Sequence, residues 1–247
     1  MGLLKDKVAL ITGAGGGIGR GVAHSFAREG AAVVIAEINE ETGAQVAREI
    51  EELGGRALFV RTDVMQKASV TGAIEAAVAH FGGLDILVNN AFVPTPNVRL
   101  EDKTDEMLEQ TLTSTIKASW WAMQASLPHM RARGGGKIVN FYSIDVEIGA
   151  WLHADYNTAK GGIVGLTRHL DEHIEVVEAL LQLCDALELG LAVAERTRDL
   201  LRVRRVVPQI GRGGLLVEGG DVGLEPWDID DGTDIGEGAA GGGDALG

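Results

Sequence analysis

Cysteine is nearly absent from this chain: Cys184 is the single one among 247 residues. No internal disulfide can form, as expected of a protein kept in a reducing compartment. Long apolar runs are missing too. No stretch approaches the roughly 20 residues that a spanning helix needs, although 45% hydrophobic and 23% charged residues are ordinary for a globular protein. The start, Met1 to Lys7, lacks the apolar core and small-residue cleavage site of a secretory signal, which predicts residence in the cytoplasm. Positive charge is scarce. The net charge is −14, and nucleic-acid binding depends on clustered Lys and Arg that release counterions, so neither nucleic acid nor membrane is an expected partner. After Arg212 there is no Lys or Arg at all, while nine acidic residues from Glu218 to Asp244 follow among glycines. Residues 211–247 are therefore expected to be a disordered acidic, glycine-rich tail.

What is present in the front of the chain is alternation. Apolar, β-branched runs at Val8 to Thr12, Ala32 to Ala36, Ala57 to Thr62, Leu84 to Val88 and Lys137 to Tyr142 read as strands. Between them Ile18 to Glu29, Glu41 to Leu53, Ala68 to Phe81 and Asp105 to Arg131 carry apolar residues at helical spacing, and a further helix is expected near Tyr156. Strand, helix, strand in repetition makes βαβ units, and strands with few polar interruptions are covered on both faces. The expected fold is α/β, a doubly wound parallel sheet of Rossmann type, as a single domain over residues 1–210.

The first strand runs into Gly13-Ala14-Gly15-Gly16-Gly17-Ile18-Gly19 and then a helix. At such a bend, helix N-terminal amides meet phosphate, and glycines remove the Cβ atoms that would block its approach. A turn without a ligand is the plain alternative for this loop alone. Glu37 ends the second strand near the offset at which an acidic residue accepts bonds from an adenosine ribose. A carboxylate there repels a 2′-phosphate, which favours NAD over NADP. Farther on, Tyr156 and Lys160 stand four residues apart on one helical face, with Ser143 at the end of the fifth strand. A free phenol titrates near pH 10, so a neighbouring ammonium is expected to favour the phenolate and make it a usable proton shuttle.

Gly13, Gly17 and Gly19 after a strand, followed in order by Glu37, Asp63, Asn90, Ser143, Tyr156 and Lys160, resemble the short-chain dehydrogenase/reductase family over about residues 1–170. The resemblance implies hydride transfer between NAD(H) and a small alcohol or ketone. It implies Tyr156 as acid–base group, Lys160 as its cationic neighbour and Ser143 as donor to the substrate oxygen. The implied cofactor site is Gly13, Gly16, Gly17, Ile18 and Gly19, then Glu37, Asp63 with Val64, Asn90 with Ala91, and Tyr156 with Lys160; no metal is implied. A helix N-cap ahead of Ala68 is an equal reading of Asp63 taken alone. It also implies pairing of subunits through the fourth and fifth helices, where Trp120 and Trp121 lie; core packing is the other reading of one of them.

Three features depart from the family. Phe92 stands where Asn-Asn-Ala is followed by glycine, and would crowd that edge if the turn needed a positive φ. Thr115 stands where the family's asparagine holds a water in a proton relay, leaving a shorter reach or a substitute such as Ser114. From Asp171 to Leu201 the chain is acidic and compatible with helix, without the family's pattern. Echoes of a sixth strand at Leu201 to Pro208 and a seventh at Leu215 to Gly220 come at the wrong spacing. Either the end is a genuine variant or it derives from a shifted reading frame; its lack of agreement between local pattern and fold favours the second. An NAD-binding protein with little turnover is the rival to an enzyme. The Asp228 to Glu237 run fails as a calcium loop, with Thr233 and Ala239 where Gly and Glu are required. His169 and His173 lack a third ligand.

Overall fold

The computed structural model describes residues 2–167 and 174–181. Five strands fall where the apolar runs place them: β1 Val8–Thr12, β2 Ala32–Glu37, β3 Arg56–Arg61, β4 Ile86–Asn89 and β5 Gly136–Ser143. The crossover helices are α1 Gly17–Arg28, α2 Glu40–Glu52 and α3 Lys67–Phe81. Beyond β4 come α4 Asp105–Leu112 and α5 Ala118–Ala132, and beyond β5 the short α6 Asp145–Ile148 and α7 Ala154–Thr167. A sixth strand, β6, spans Ile174–Leu181. The sheet is parallel in the order β3-β2-β1-β4-β5-β6.

Alternation within the strands explains the two-sided burial. Ala9 and Ile11 of β1 join Val22, Phe26 and Ile50 of α1 and α2 on one face. Val8 and Leu10 join Ile74 of α3 and Met123 and Met130 of α5 on the other. Because the chain leaves β1 toward opposite neighbours, the carboxyl ends of β1 and β4 open a crevice where a ligand fits.

Two expectations are corrected. The single helix expected over Asp105 to Arg131 is interrupted at Thr113–Lys117 by a π-helical turn, with Leu112 and Ala118 on either side still in right-handed helical geometry. Such a bulge inserts an extra residue into the ladder and shifts the face that follows. The helix-compatible reading fails at Ile174–Leu181, which pairs with β5 residue by residue from Gly136↔Ile174 to Ser143↔Leu181. An open strand edge offers a row of unpaired amides and carbonyls, and a run with Ile174, Val176 and Val177 satisfies it despite its helix-forming Glu and Leu. The expected later strands, His169 with His173, and the 211–247 tail lie outside the described residues.

No helix among the described residues is long and apolar enough to cross a membrane. Trp121 packs against the core, whereas Trp120 is 51% exposed, so the two indoles point to different environments.

Candidate active site

The glycine bend is built for close approach. Gly13 takes φ +66°, and a Cβ there would meet Ala91 at 3.0 Å and the Asn90 amide at 3.1 Å. Gly19 does not face the crevice at all. It is buried in α1, and a Cβ on it would lie 2.2 Å from the Gly13 carbonyl oxygen. Its role is to let the helix seat against the bend. By contrast, a Cβ on Gly16 or Gly17 would meet nothing within 4 Å, because these positions look into open space.

Strand ends are latched together around this bend. Thr12 Oγ1 accepts from the backbone N–H of Asn90 and of Ala91, both at 3.0 Å, and the Asn90 side chain donates to the carbonyls of Thr12 and Gly13 at 2.9 and 3.1 Å. The Glu37 carboxylate accepts from the amides of Gly15, Ile38 and Asn39 at 3.0, 2.9 and 3.1 Å, which holds its charge at the rim. Asp63 accepts from the Met65 amide at 2.9 Å. The N-cap of α3 is Gln66, so the capping alternative for Asp63 fails.

These groups surround one cleft of about 670 Å³. Gly13, Gly16, Gly17, Ile18, Glu37, Asp63, Val64, Asn90, Ala91, Tyr156 and Lys160 all line it. Ser143 lies just behind, 5% exposed, where its hydroxyl interacts with the Tyr156 phenol and accepts from the Asp145 amide at 3.2 Å. Sequence reasoning missed Asn39 and Thr42, which complete the Glu37 rim. Thr42 follows Asn39 by three residues, and Asn39 caps α2 by accepting from the Glu41 and Thr42 amides, a signal that capping rules could have raised.

Helix α7 is fixed to the sheet by a buried chain of amides: Asn89 donates to Asn140 at 2.8 Å, and Asn140 to Thr167 at 3.1 Å. That docking sets Lys160 inward. Its ammonium donates to the Phe141 carbonyl at 2.7 Å and sits 5.7 Å from the centroid of the Tyr156 ring, within cation–π range. Burial holds Lys160 down to about 8. The Tyr156 phenol, however, is shifted upward, first by burial and also by the Asp145 charge, with the Ser143 hydrogen bond opposing. The expectation that the ammonium lowers the phenol is thus not met by the protein alone; desolvation wins.

Phe92 turns out not to strain its turn. The non-glycine residues with positive φ among the described ones are Asp6 and Leu152. The Phe92 ring instead meets the Tyr156 ring edge-on at 5.0 Å, and His153 meets it at 6.0 Å. Thr115 Oγ1 is buried without a hydrogen-bond partner, and the proposed substitute Ser114 donates to the Thr111 carbonyl at 3.4 Å. Both lie in the π turn.

The family model for short chain dehydrogenases matches residues 7–178. This chain belongs to the short-chain dehydrogenase family. A 2,5-dichloro-2,5-cyclohexadiene-1,4-diol dehydrogenase of Sphingobium indicum is 31% identical over 227 residues, 91% of this chain and 81% of the relative. A cis-4-hydroxycyclohexanecarboxylate dehydrogenase of Sinomonas cyclohexanicum is 39% identical over 164 residues, 66% of this chain and 65% of that one. A solved 7α-hydroxysteroid dehydrogenase, complexed with NADH and 7-oxo glycochenodeoxycholic acid, is 32% identical with a TM-score of 0.64. The match covers 67% of this chain and 64% of that structure, so the chain spans just under two thirds of some of its relatives. By family it is an oxidoreductase that uses a nicotinamide cofactor.

The residues present fit such a group. The α1 N-terminus has no side-chain cap and no acidic residue in its first turn, which leaves its amides and dipole available to an anion. Gly16 and Gly17 keep the space beside it clear, and Lys160 adds a buried ammonium to the lining of the same cleft. No group of three or more His, Cys, Asp or Glu that could hold a metal occurs among the described residues.

Proposed function

We propose that this chain is an NAD(H)-dependent oxidoreductase acting on a secondary alcohol or ketone borne on a carbon ring. The observation that carries it is Tyr156 and Lys160, one turn apart on α7, lining the same cleft as the glycine bend. The relatives named above act, by their names, on ring-borne hydroxyl or oxo groups, and Phe92 and Val93 give the substrate end of this cleft an apolar wall suited to a ring.

A dinucleotide held by Gly13, Gly16, Gly17, Ile18, Glu37, Asp63, Val64, Asn90 and Ala91 would supply the hydride donor or acceptor. Tyr156 then handles the proton at the substrate oxygen, giving it up when a ketone is reduced and taking it when an alcohol is oxidised. Ser143 donates a hydrogen bond to that same oxygen as negative charge develops. Lys160 holds positive charge beside the phenol and is itself kept in place by the Phe141 carbonyl. Binding of NADH, followed by a screen of cyclohexanol-type alcohols and their ketones, tests the reading. Binding without any Tyr156-dependent turnover would leave a cofactor-binding protein in its place.

Because the phenol titrates above its ordinary 10.0, it is protonated across the neutral range. Alcohol oxidation needs the deprotonated form, so its kcat/KM is expected to climb from pH 6 to about 7.5, below the range in which Lys160 sheds its own charge at about 8. Ketone reduction needs the proton already present and is expected to stay flat over that window. A falling oxidation profile contradicts the assignment.

Glu37 carries the preference for NAD. Glu37→Ala removes the charge that a 2′-phosphate would meet, and the NADPH to NADH affinity ratio is expected to rise at least about tenfold, or about 1.4 kcal/mol. An unchanged ratio in parallel titrations removes Glu37 from that role.

A further inference from the structure

A buried ion pair lies directly behind the tyrosine and takes no part in the chemistry above. Asp155 precedes Tyr156 in the first turn of α7, and the Lys103 ammonium stands 2.7 Å from its Oδ1, with side chains 2% and 6% exposed for Asp155 and Lys103. The other carboxylate oxygen accepts from Thr95 at 2.5 Å and from Thr111 of α4 at 3.2 Å. Asp155 is joined to Tyr156 directly through the chain. Lys103 for its part donates to the Pro96 carbonyl at 2.7 Å, and Gln110 of α4 donates to the Pro94 carbonyl at 3.1 Å. One carboxylate therefore gathers the segment after β4, helix α4 and the turn that bears the phenol.

Two charges removed from water are a costly way to hold elements together, and apolar side chains of similar volume do so at least as well. What the charges add is direction. Each bond ends on a particular atom, and those atoms belong to the two sides of the substrate end of the cleft. The segment anchored by Thr95, Pro96 and Lys103 carries Phe92 and Val93, which line the cleft, and Phe92 touches the Tyr156 ring. The helical turn anchored by the Asp155 carboxylate carries the phenol itself.

We propose that Asp155 and Lys103 are a positioning pair, which clamps the apolar substrate wall to the first turn of α7 and so sets the placement of the Tyr156 hydroxyl against the substrate oxygen. The proposal rests on reading Tyr156 as the acid–base group. Asp155 acts through Tyr156 and the Phe92 wall, never on the reacting atoms.

The test compares the full chain with Lys103→Met, Lys103→Arg and Thr95→Val, using NAD and whichever screened ring alcohol gives the highest turnover. Lys103→Met strands the carboxylate and is expected to lower kcat about 10- to 100-fold, the penalty of a small misplacement of the reacting group. Lys103→Arg keeps the charge and is expected to recover most of that loss. Thr95→Val removes the hydroxyl's ties to Asp155 and, at 3.4 Å, to Lys103 while leaving both charges in place, and KM is expected to rise about 3- to 10-fold with kcat within about twofold. NADH affinity is expected to hold within about twofold in all three, since the pair lies away from the glycine bend. Parallel loss of NADH affinity and kcat would reduce the pair to a general fold support and overturn the proposal. Unchanged kinetics in Thr95→Val and Lys103→Met would overturn it equally, and if Lys103→Met does not fold, Thr95→Val and Lys103→Arg decide. An unmodified chain without Tyr156-dependent turnover would instead bring down the parent reading, and this one with it.

Discussion

Exchanging Tyr156 for Phe is expected to lower kcat by about 10²- to 10⁴-fold, the usual worth of a positioned proton donor or acceptor. Little else changes with it. The ring keeps its edge contacts with Phe92 and His153 at 5.0 and 6.0 Å, and Lys160 keeps its bond to the Phe141 carbonyl. One hydroxyl is lost, and with it the interaction with Ser143. NADH affinity should accordingly stay within about twofold, because in the proposed site the dinucleotide would meet the glycine bend and the Glu37 rim rather than the phenol alone. Steady-state kinetics with a fluorescence titration of NADH read both quantities. Ser143→Ala gives the calibrating comparison, with an expected loss of about 10²- to 10³-fold for a single donor to developing charge. Residual turnover above a tenth of the unmodified rate would show that another group moves the proton. His153, whose Nδ1 lies 2.9 Å from Asp145 beside the same ring, is the group to examine then.

The strands of the front half were legible because each alternates or runs apolar between glycine-rich and polar turns, and the sheet has only to bury them. Local pattern and fold agree there. That the glycine bend, Glu37, Tyr156 and Lys160 would share one cleft was legible for a related reason: the chemistry proposed for them demands residue types at set offsets along one strand or one helical turn. Interruptions were not. Nothing in Thr113-Ser114-Thr115 announces a π turn, since a bulge depends on how α4 and α5 must each pack, not on local propensity. Ile174–Leu181 was misread because Glu, Ala and Leu favour helix in isolation, while the unpaired edge of β5 rewards strand. The upward shift of Tyr156 was equally hidden, because burial is a property of the assembled α7 and β5. So was the Asp155–Lys103 pair, whose members lie 52 positions apart and meet only through the path of the segment after β4.

Lys160→Met is expected to abolish useful turnover and, at neutral pH, to stabilise the fold. The sign follows from where the ammonium sits. Its unfolded value is the ordinary 10.5, and burial holds the folded value down to about 8. Above pH 10.5 both states are uncharged and nothing is lost. As pH falls through 10.5 toward 8 the unfolded chain takes up the proton first, and below 8 the folded state carries the ammonium at a disadvantage of about 3 kcal/mol. Met removes that disadvantage while filling similar volume. Against it stands the Phe141 carbonyl, which loses its donor at 2.7 Å and costs about 1–3 kcal/mol unless another donor reaches it. The net gain is then about 1 kcal/mol, or roughly 2–4 °C in Tm for a chain of this length. Thermal melts of both proteins from pH 7 to 10.5 make the sharper test, because the advantage of Met must shrink as the native lysine sheds its proton and must turn into a deficit once only the lost hydrogen bond remains. A variant less stable at pH 7 and no worse at pH 10.5 would mean that the ammonium is held by partners that compensate its burial. The expected result is the opposite. On the proposed reading, a charge kept in the folded state against its own desolvation serves the proton chemistry at the neighbouring phenol, and its removal trades that chemistry for stability.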